Sequence, residues 1–179
     1  MNLFTKLQQR DAAENPIRVG MIGAGKFGSM FLAQAIRLPG IHIAGITDLY
    51  PTNAISNLAY VGWPAGAYGA TSLDDAIKTG TSFVSDDWQA LIAHTAIDLI
   101  IECTGDPVAA VHHILTAFDH GKHIINATVE ADAFCGPGIS QTAAEAGVVY
   151  SMAYGDQPAL ACELVDWART CGFNVVAAG

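Results

Sequence analysis

Apolar positions along the chain recur in two rhythms, compact runs of strand length and stretches at helical spacing, and the two alternate. Residues 17–22 form a short apolar run, 27–38 a helical pattern closed by Pro39-Gly40, and 41–47 a second run. Together they make one βαβ unit of about 30 residues. Ahead of it, Leu3, Phe4 and Leu7 sit at helical spacing in a polar leader, which predicts a short amphipathic helix against the domain or a neighbouring subunit, ended before Pro16. After it, 51–60 reads as helix and 61–71 as an irregular insert rich in Gly, Ala and Pro. Ser72 caps a helix through Lys78, with Asp74 and Asp75 in its first turn and Gly80 as its stop.

The rhythm continues with strand 82–84, helix 87–93, strand 97–103, helix 106–119 stopped near Gly121, and strand 122–126. Helix 138–146, strand 148–152, helix 158–171 with Pro158 in its first turn, and a last strand 173–177 complete it. Strands joined through helices give a doubly wound, mostly parallel α/β sheet covered on both faces, three layers in all. The expected organisation is an N-terminal arm over 1–15 and one domain over 16–179. Because the final run reaches almost to Gly179, the chain is expected to be the first part of a longer protein whose substrate-handling part follows.

Composition narrows the function. Hydrophobic residues make up 51% and charged residues 14% of the 179, rich for a surface wholly in water, so some of that surface is expected to be covered. Eight Lys and Arg against 17 Asp and Glu give a net charge of −9, which offers no field for nucleic acid or an anionic membrane. The four cysteines form no CxxC pair and have no metal-ligand spacing with the histidines. Reduced thiols and the lack of any apolar stretch near the roughly 18 residues of a membrane span give the expectation of a soluble, cytoplasmic protein.

The strongest chemical signal is Gly23-Ala24-Gly25-Lys26-Phe27-Gly28, a GxGxxG directly after a strand and opening a helix. Gly23 serves the tight turn, Gly25 the close approach of a pyrophosphate, and Gly28 helix-to-strand packing, while Lys26 can add charge at the phosphates. Asp48 ends the second strand about 20 residues later, where a carboxylate accepts the adenosine ribose hydroxyls and favours NAD, a helix-capping role being its alternative. A Rossmann-type domain binding a nicotinamide dinucleotide follows.

Other strand ends reach the same crevice. Cys103, Thr104 and Gly105 are candidates for the nicotinamide ribose, although Gly105-Asp106-Pro107 also reads as a turn and N-cap. Thr128 and Glu130 follow the next strand, with Glu130 able to handle a proton or metal only if buried. The turn at Tyr154 to Pro158 is a third candidate wall, where Asp156 either caps a helix or touches ligand. Cys103 reads as a small buried residue rather than a reactive thiol, and His112, His113, His120 and His123 as surface or packing histidines.

With these stations placed, the chain resembles the homoserine-dehydrogenase-like oxidoreductases, and most closely the 1-deoxy-D-xylulose 5-phosphate reductoisomerase-like (DRL) proteins that carry SAF-type segments. The resemblance rests on Ile17-Arg18-Val19-Gly20 before the glycine loop, on Gly121-Lys122-His123 before Val129-Glu130-Ala131-Asp132, and on Ala153-Tyr154-Gly155-Asp156-Gln157-Pro158 before Glu163-Leu164-Val165-Asp166-Trp167-Ala168. It implies an N-terminal NAD(P) domain and a separate catalytic and dimerising domain, hence a homodimer or higher assembly. It also implies NADP as cofactor, against the NAD indicated by Asp48, and a divalent metal in the full-length enzyme. The implied reaction is reductive rearrangement of deoxyxylulose phosphate in isoprenoid biosynthesis, or a homoserine-dehydrogenase-like hydride transfer to a small-molecule substrate. The catalytic residues of the resemblance fall after Gly179. A non-catalytic NAD(P)-binding or redox-sensing module is the alternative.

Overall fold

A computed structural model describes residues 2–155 and 157–178. The chain runs α1 (Leu3–Ala12), β1 (Ile17–Ile22), α2 (Lys26–Ala35), β2 (Ile41–Thr47), α3 (Pro51–Tyr60), α4 (Leu73–Thr79), β3 (Phe83–Ser85), α5 (Trp88–Ala93) and β4 (Leu99–Glu102). It continues α6 (Pro107–Asp119), β5 (His123–Asn126), α7 (Val129–Ala146), β6 (Tyr150–Met152) and α8 (Gln157–Thr170). The local chemistry explains most boundaries. Ser72 accepts the Asp75 N–H to start α4, and Gly80, at φ 72°, ends it in the left-handed conformation. Asp87 and Asp106 cap α5 and α6 in the same way, the latter with Pro107 in the first turn.

The strands form one six-stranded sheet in the order β3-β2-β1-β4-β5-β6, and every pairing is parallel. Two strands, β2 and β3, build outward from β1 in one direction, and the chain then returns to add β4 on its other side. A switch point is thereby created between β1 and β4, where crossovers on opposite faces leave a crevice at the carboxyl ends. Alternation along the strands fills two cores. Ile22, Ile100 and Ile124 meet Leu91, Ile114 and Phe118 on one face, while Val19, Met21, Ile43, Ile46 and Ile101 meet Leu32, Ala54 and Leu58 on the other. Each such fully buried side chain is worth about 1.5–3 kcal/mol. Rossmann-like three-layer architecture is therefore the fold, with a sheet wholly rather than mostly parallel.

Three expectations change. The insert at 61–71 holds a short 3₁₀ turn (Ala65–Tyr68) and is anchored by Trp63, which is buried and donates its indole N–H to the Leu32 carbonyl at 2.8 Å. Helix α7 begins at Val129, not 138. It is broken at Cys135 (φ −146°), so Pro137 lies in the first turn of a second helical piece, where its missing N–H costs little. Gly136-Pro137-Gly138 supplies helix breakers, so the sequence pattern shows helix only from 138 onward. The last strand, 173–177, does not form: those residues pair with no strand and Val176 is 96% exposed. Helix α8, which would return the chain to the β6 edge, buries none of its described residues, so a further strand has no docked crossover to place it.

Candidate functional site

The backbone ladders run past the strand ends and align the mouths of the sheet. Gly23 N–H donates to the Thr47 carbonyl, Cys103 N–H to Ile22, Ala127 N–H to Glu102 and Ala153 N–H to Asn126, each at 2.8–2.9 Å. Over these mouths lies a cleft of about 640 Å³, within the range of small-ligand pockets, with Gly23, Gly25, Asp48, Asp86, Trp88 and Thr104 among its lining residues.

The glycine loop forms one wall. Gly23 sits at φ +92°, and a Cβ there would come within 2.7 Å of the Cys103 backbone, so turn conformation and strand proximity both require glycine. A Cβ on Gly28 would lie 2.6 Å from the Gly23 carbonyl oxygen and 2.5 Å from the Met21 side chain, which is the close helix-to-strand packing expected. Gly25 differs: it caps α2, is exposed, and has nothing within 4 Å of its Cβ position. That free space opens on the cleft at the end of α2 where unpaired N–H groups and the positive pole of the helix lie, the fit a pyrophosphate needs. Ala24 is buried, whereas Lys26 and Phe27 are exposed at the rim.

Asp48 stabilises this wall from the next strand. Its Oδ2 accepts the Ala24 N–H at 2.9 Å and its Oδ1 the Tyr50 N–H at 3.0 Å. The two roles read from sequence are thus compatible: the carboxylate fixes the loop and the start of α3, and two of its roughly four acceptor positions remain for hydroxyls in the cleft. The Ala24 carbonyl accepts a hydrogen bond from Asn57 Nδ2 at 2.8 Å, a contact from α3 that no sequence motif announces.

The opposite wall is built around Glu102, which is fully buried at the end of β4. Its Oε1 accepts the Thr104 hydroxyl at 2.6 Å and the Thr104 N–H at 3.3 Å, and lies 3.3 Å from His113 Nδ1; its Oε2 accepts the Thr128 hydroxyl. The Thr128 oxygen in turn accepts the Gly105 N–H at 3.0 Å. Thr128 is 1% exposed and its hydroxyl is occupied inside the wall, while Thr104 and Gly105 face solvent. The turn-and-cap reading of Gly105-Asp106-Pro107 is present as well, since Asp106 accepts the Val108 and Ala109 N–H groups at 2.9 and 3.0 Å.

Cys103 lies beneath the loop, and burial, aided by the Glu102 charge, pushes its thiol up to about 12. A thiol so shifted is not a nucleophile at neutral pH. His113 is buried and meets Trp88 edge-on with ring centres 4.5 Å apart, a packing histidine that also closes the Glu102 cluster; His112 is exposed, with its ring centre 5.3 Å from that of Trp88. Glu130 stands exposed in the first turn of α7, outside the lining of the cleft. Tyr154 bonds Glu163 and lines a separate cavity with Tyr150 and Asp132, and Asp156 lies outside the described residues. Among the described residues no group of three or more His, Cys, Asp or Glu could hold a metal, and no helix is long and apolar enough to cross a membrane. Sequence reading overlooked Glu102, Asp86, Trp88 and Asn57; the one visible signal was Glu102 itself, a charged residue in an otherwise apolar strand.

Comparison with known proteins supports the fold and the resemblance to oxidoreductases. The family model for the NAD-binding domain of homoserine dehydrogenase matches residues 68–151, and that for the catalytic domain of the oxidoreductase DRL matches residues 155–179. The DRL match begins inside the range expected to belong to the dinucleotide domain. No match was found among curated proteins. Similar solved structures include a homoserine dehydrogenase from Thiobacillus denitrificans (TM-score 0.60, 20% identity, 76% of this chain and 29% of that one). An NAD-binding oxidoreductase from Klebsiella pneumoniae gives 0.58, 19%, 88% and 39%. A biliverdin reductase from Synechocystis in complex with biliverdin and NADP⁺ gives 0.54, 19%, 88% and 43%. The chain spans less than half the length of each of these three proteins. The matched ranges take in the motifs at 121–132 and 155–168 on which the resemblance to homoserine-dehydrogenase-like and DRL oxidoreductases rests, and the glycine loop lies outside both.

Proposed function

We propose that this NAD(P)-binding oxidoreductase domain holds a nicotinamide dinucleotide across the switch point and presents it for hydride exchange with a carbonyl or hydroxyl of a small polar metabolite. The observation that carries the reading is the vacant Cβ position of Gly25 at the amino end of α2, facing the cleft between Asp48 and Thr104. The pyrophosphate is assigned to the N–H groups of residues 25–28 with Lys26 at the rim, the adenosine ribose to Asp48, and the second ribose to the turn at Thr104 and Gly105. Bound there, the nicotinamide supplies the hydride chemistry, while the chain's own residues orient it.

NAD is proposed over NADP. Asp48 and Asp86 both line the cleft beside the glycine loop, and a 2′-phosphate would meet their negative charge with no compensating cation in the adjoining Leu49-Tyr50-Pro51. The catalytic-domain match at 155–179 favours a DRL-like reductive rearrangement of a sugar phosphate over a homoserine-dehydrogenase-like reaction as the chemistry of the complete enzyme. Its acid, base and any metal ligands are assigned to regions other than this cleft.

Titration with NADH and NADPH, followed by energy transfer from Trp88 in the cleft wall, tests the proposal. A saturable signal that is stronger with NADH and lost in Trp88→Phe is expected. Absence of saturation with either nucleotide would overturn it.

A further inference from the structure

Glu102 has a burial that a merely tolerated carboxylate would not keep. It is 0% exposed, does not line the cleft, and among the described residues is paired with no Lys or Arg; its compensation there comes from hydrogen-bond donors. Those donors come from three elements: Thr104 from the turn after β4, Thr128 from the end of β5, and His113 from α6 in the tautomer that carries its proton on Nδ1. An acceptor-only group at the centre fixes the direction of each hydroxyl around it. Thr128 has one proton, and it goes to Glu102, so its oxygen presents a lone pair to the Gly105 N–H at 3.0 Å. The Thr104 proton likewise goes to Glu102, leaving its oxygen to accept the Asp106 N–H at 3.3 Å. Carboxylate below and turn amides above are connected through two oriented hydroxyls.

We infer that Glu102 is a positioning residue for the nicotinamide half of the cofactor, acting through Thr104 and Thr128 to set the 104–106 turn in its binding conformation. The inference rests on the cofactor reading above. Gly105, at φ +74°, is the pivot of that turn, and its N–H is held by the Thr128 hydroxyl. Replacing the carboxylate by an amide puts a donor where one of its two acceptor oxygens stood, so at least one hydroxyl must turn and the 104–106 turn loses a defined acceptor, while the glycine-loop wall, held by Asp48 and Asn57, keeps its own. The consequence is selective: ligands that reach the 104–106 turn are weakened, and ligands confined to the glycine-loop wall are not.

Calorimetric titration of the chain with NADH and with ADP, which carries adenosine and two phosphates but neither the second ribose nor nicotinamide, reads this selectivity. Wild type is expected to bind both. Glu102→Gln, of nearly the same shape, and Thr128→Val are each expected to weaken NADH about tenfold with ADP changed less than about twofold, and Thr128→Ser to restore NADH binding. If Glu102→Gln does not fold, the Thr128→Val and Thr128→Ser pair carries the same comparison. Unchanged NADH affinity, equal losses for NADH and ADP, or failure of the serine variant to restore binding would overturn the inference while leaving the cofactor site itself standing. A wild-type chain that binds neither ligand would instead remove the proposed function, and this inference with it.

Discussion

On one side of the cleft, residues 23–28 and Asp48 shape the surface with backbone groups, glycines and a single partly exposed carboxylate. On the other, Glu102 and its partners do so with a dry cluster of side chains contributed by β4, β5 and α6. The two walls span similar lengths of chain, 23–48 and 102–128, and each joins the ends of neighbouring strands. They differ in what shapes them: the first is a backbone turn whose glycine spacing can be read along the chain, and the second is a set of side-chain hydrogen bonds in which each member depends on the others. Substitutions separate the two.

The largest effect is expected at Gly23. Gly23→Val combines positive φ with a Cβ 2.7 Å from the Cys103 backbone, and should lower stability by about 3 kcal/mol or more, read from the urea midpoint. Next is Glu102→Ala, which strands the hydroxyls of Thr104 and Thr128 and the His113 ring without their acceptor. A loss of about 2 kcal/mol is expected in the same assay. A loss no larger than that of an ordinary surface substitution would mean the second wall is not the cooperative unit described.

Gly25→Leu sharpens the contrast from the other direction. Nothing lies near its Cβ, so unfolding should move by no more than about 0.5 kcal/mol while NADH affinity falls at least about tenfold, because the new side chain fills the phosphate position. Stability loss with binding intact would reverse the assignment. Smallest in effect is Cys103. Its thiol is raised to about 12 from 9.0, so at pH 8 it carries about a thousandth of the thiolate of an unshifted cysteine, and alkylation should proceed first at the exposed Cys162 and Cys171. The sign for stability follows. The folded thiol holds its proton longer than the unfolded one, so this contribution is complete below about pH 9 and is lost as pH rises toward about 12.

What the sequence disclosed follows the same division. The extents of β1, β2 and α3, the capping of α4 and the tasks of the three loop glycines were legible because each rests on residues adjacent in the chain. Asp48 was found by spacing, but its bonds to Ala24 and Tyr50 were not, since which donors a carboxylate meets depends on how the strand ends align. Glu102 carries no motif of its own, and Thr128 reads as a cofactor contact because no spacing rule pairs its hydroxyl with that carboxylate. The early start of α7 was hidden by Pro137, which breaks a helix in one register and begins one in the next. The expected last strand failed for a different reason: Val175-Val176-Ala177-Ala178 has the composition of a strand, yet a strand exists only with a neighbour.

The most direct test of the central claim is an amide ¹H–¹⁵N titration with NAD⁺. Saturable shifts are expected at Gly25, Lys26, Phe27 and Gly28 and at Gly105, with Leu164 and Trp167 of α8 unmoved. Saturable shifts confined to α8, or none at the glycine loop, would contradict the account.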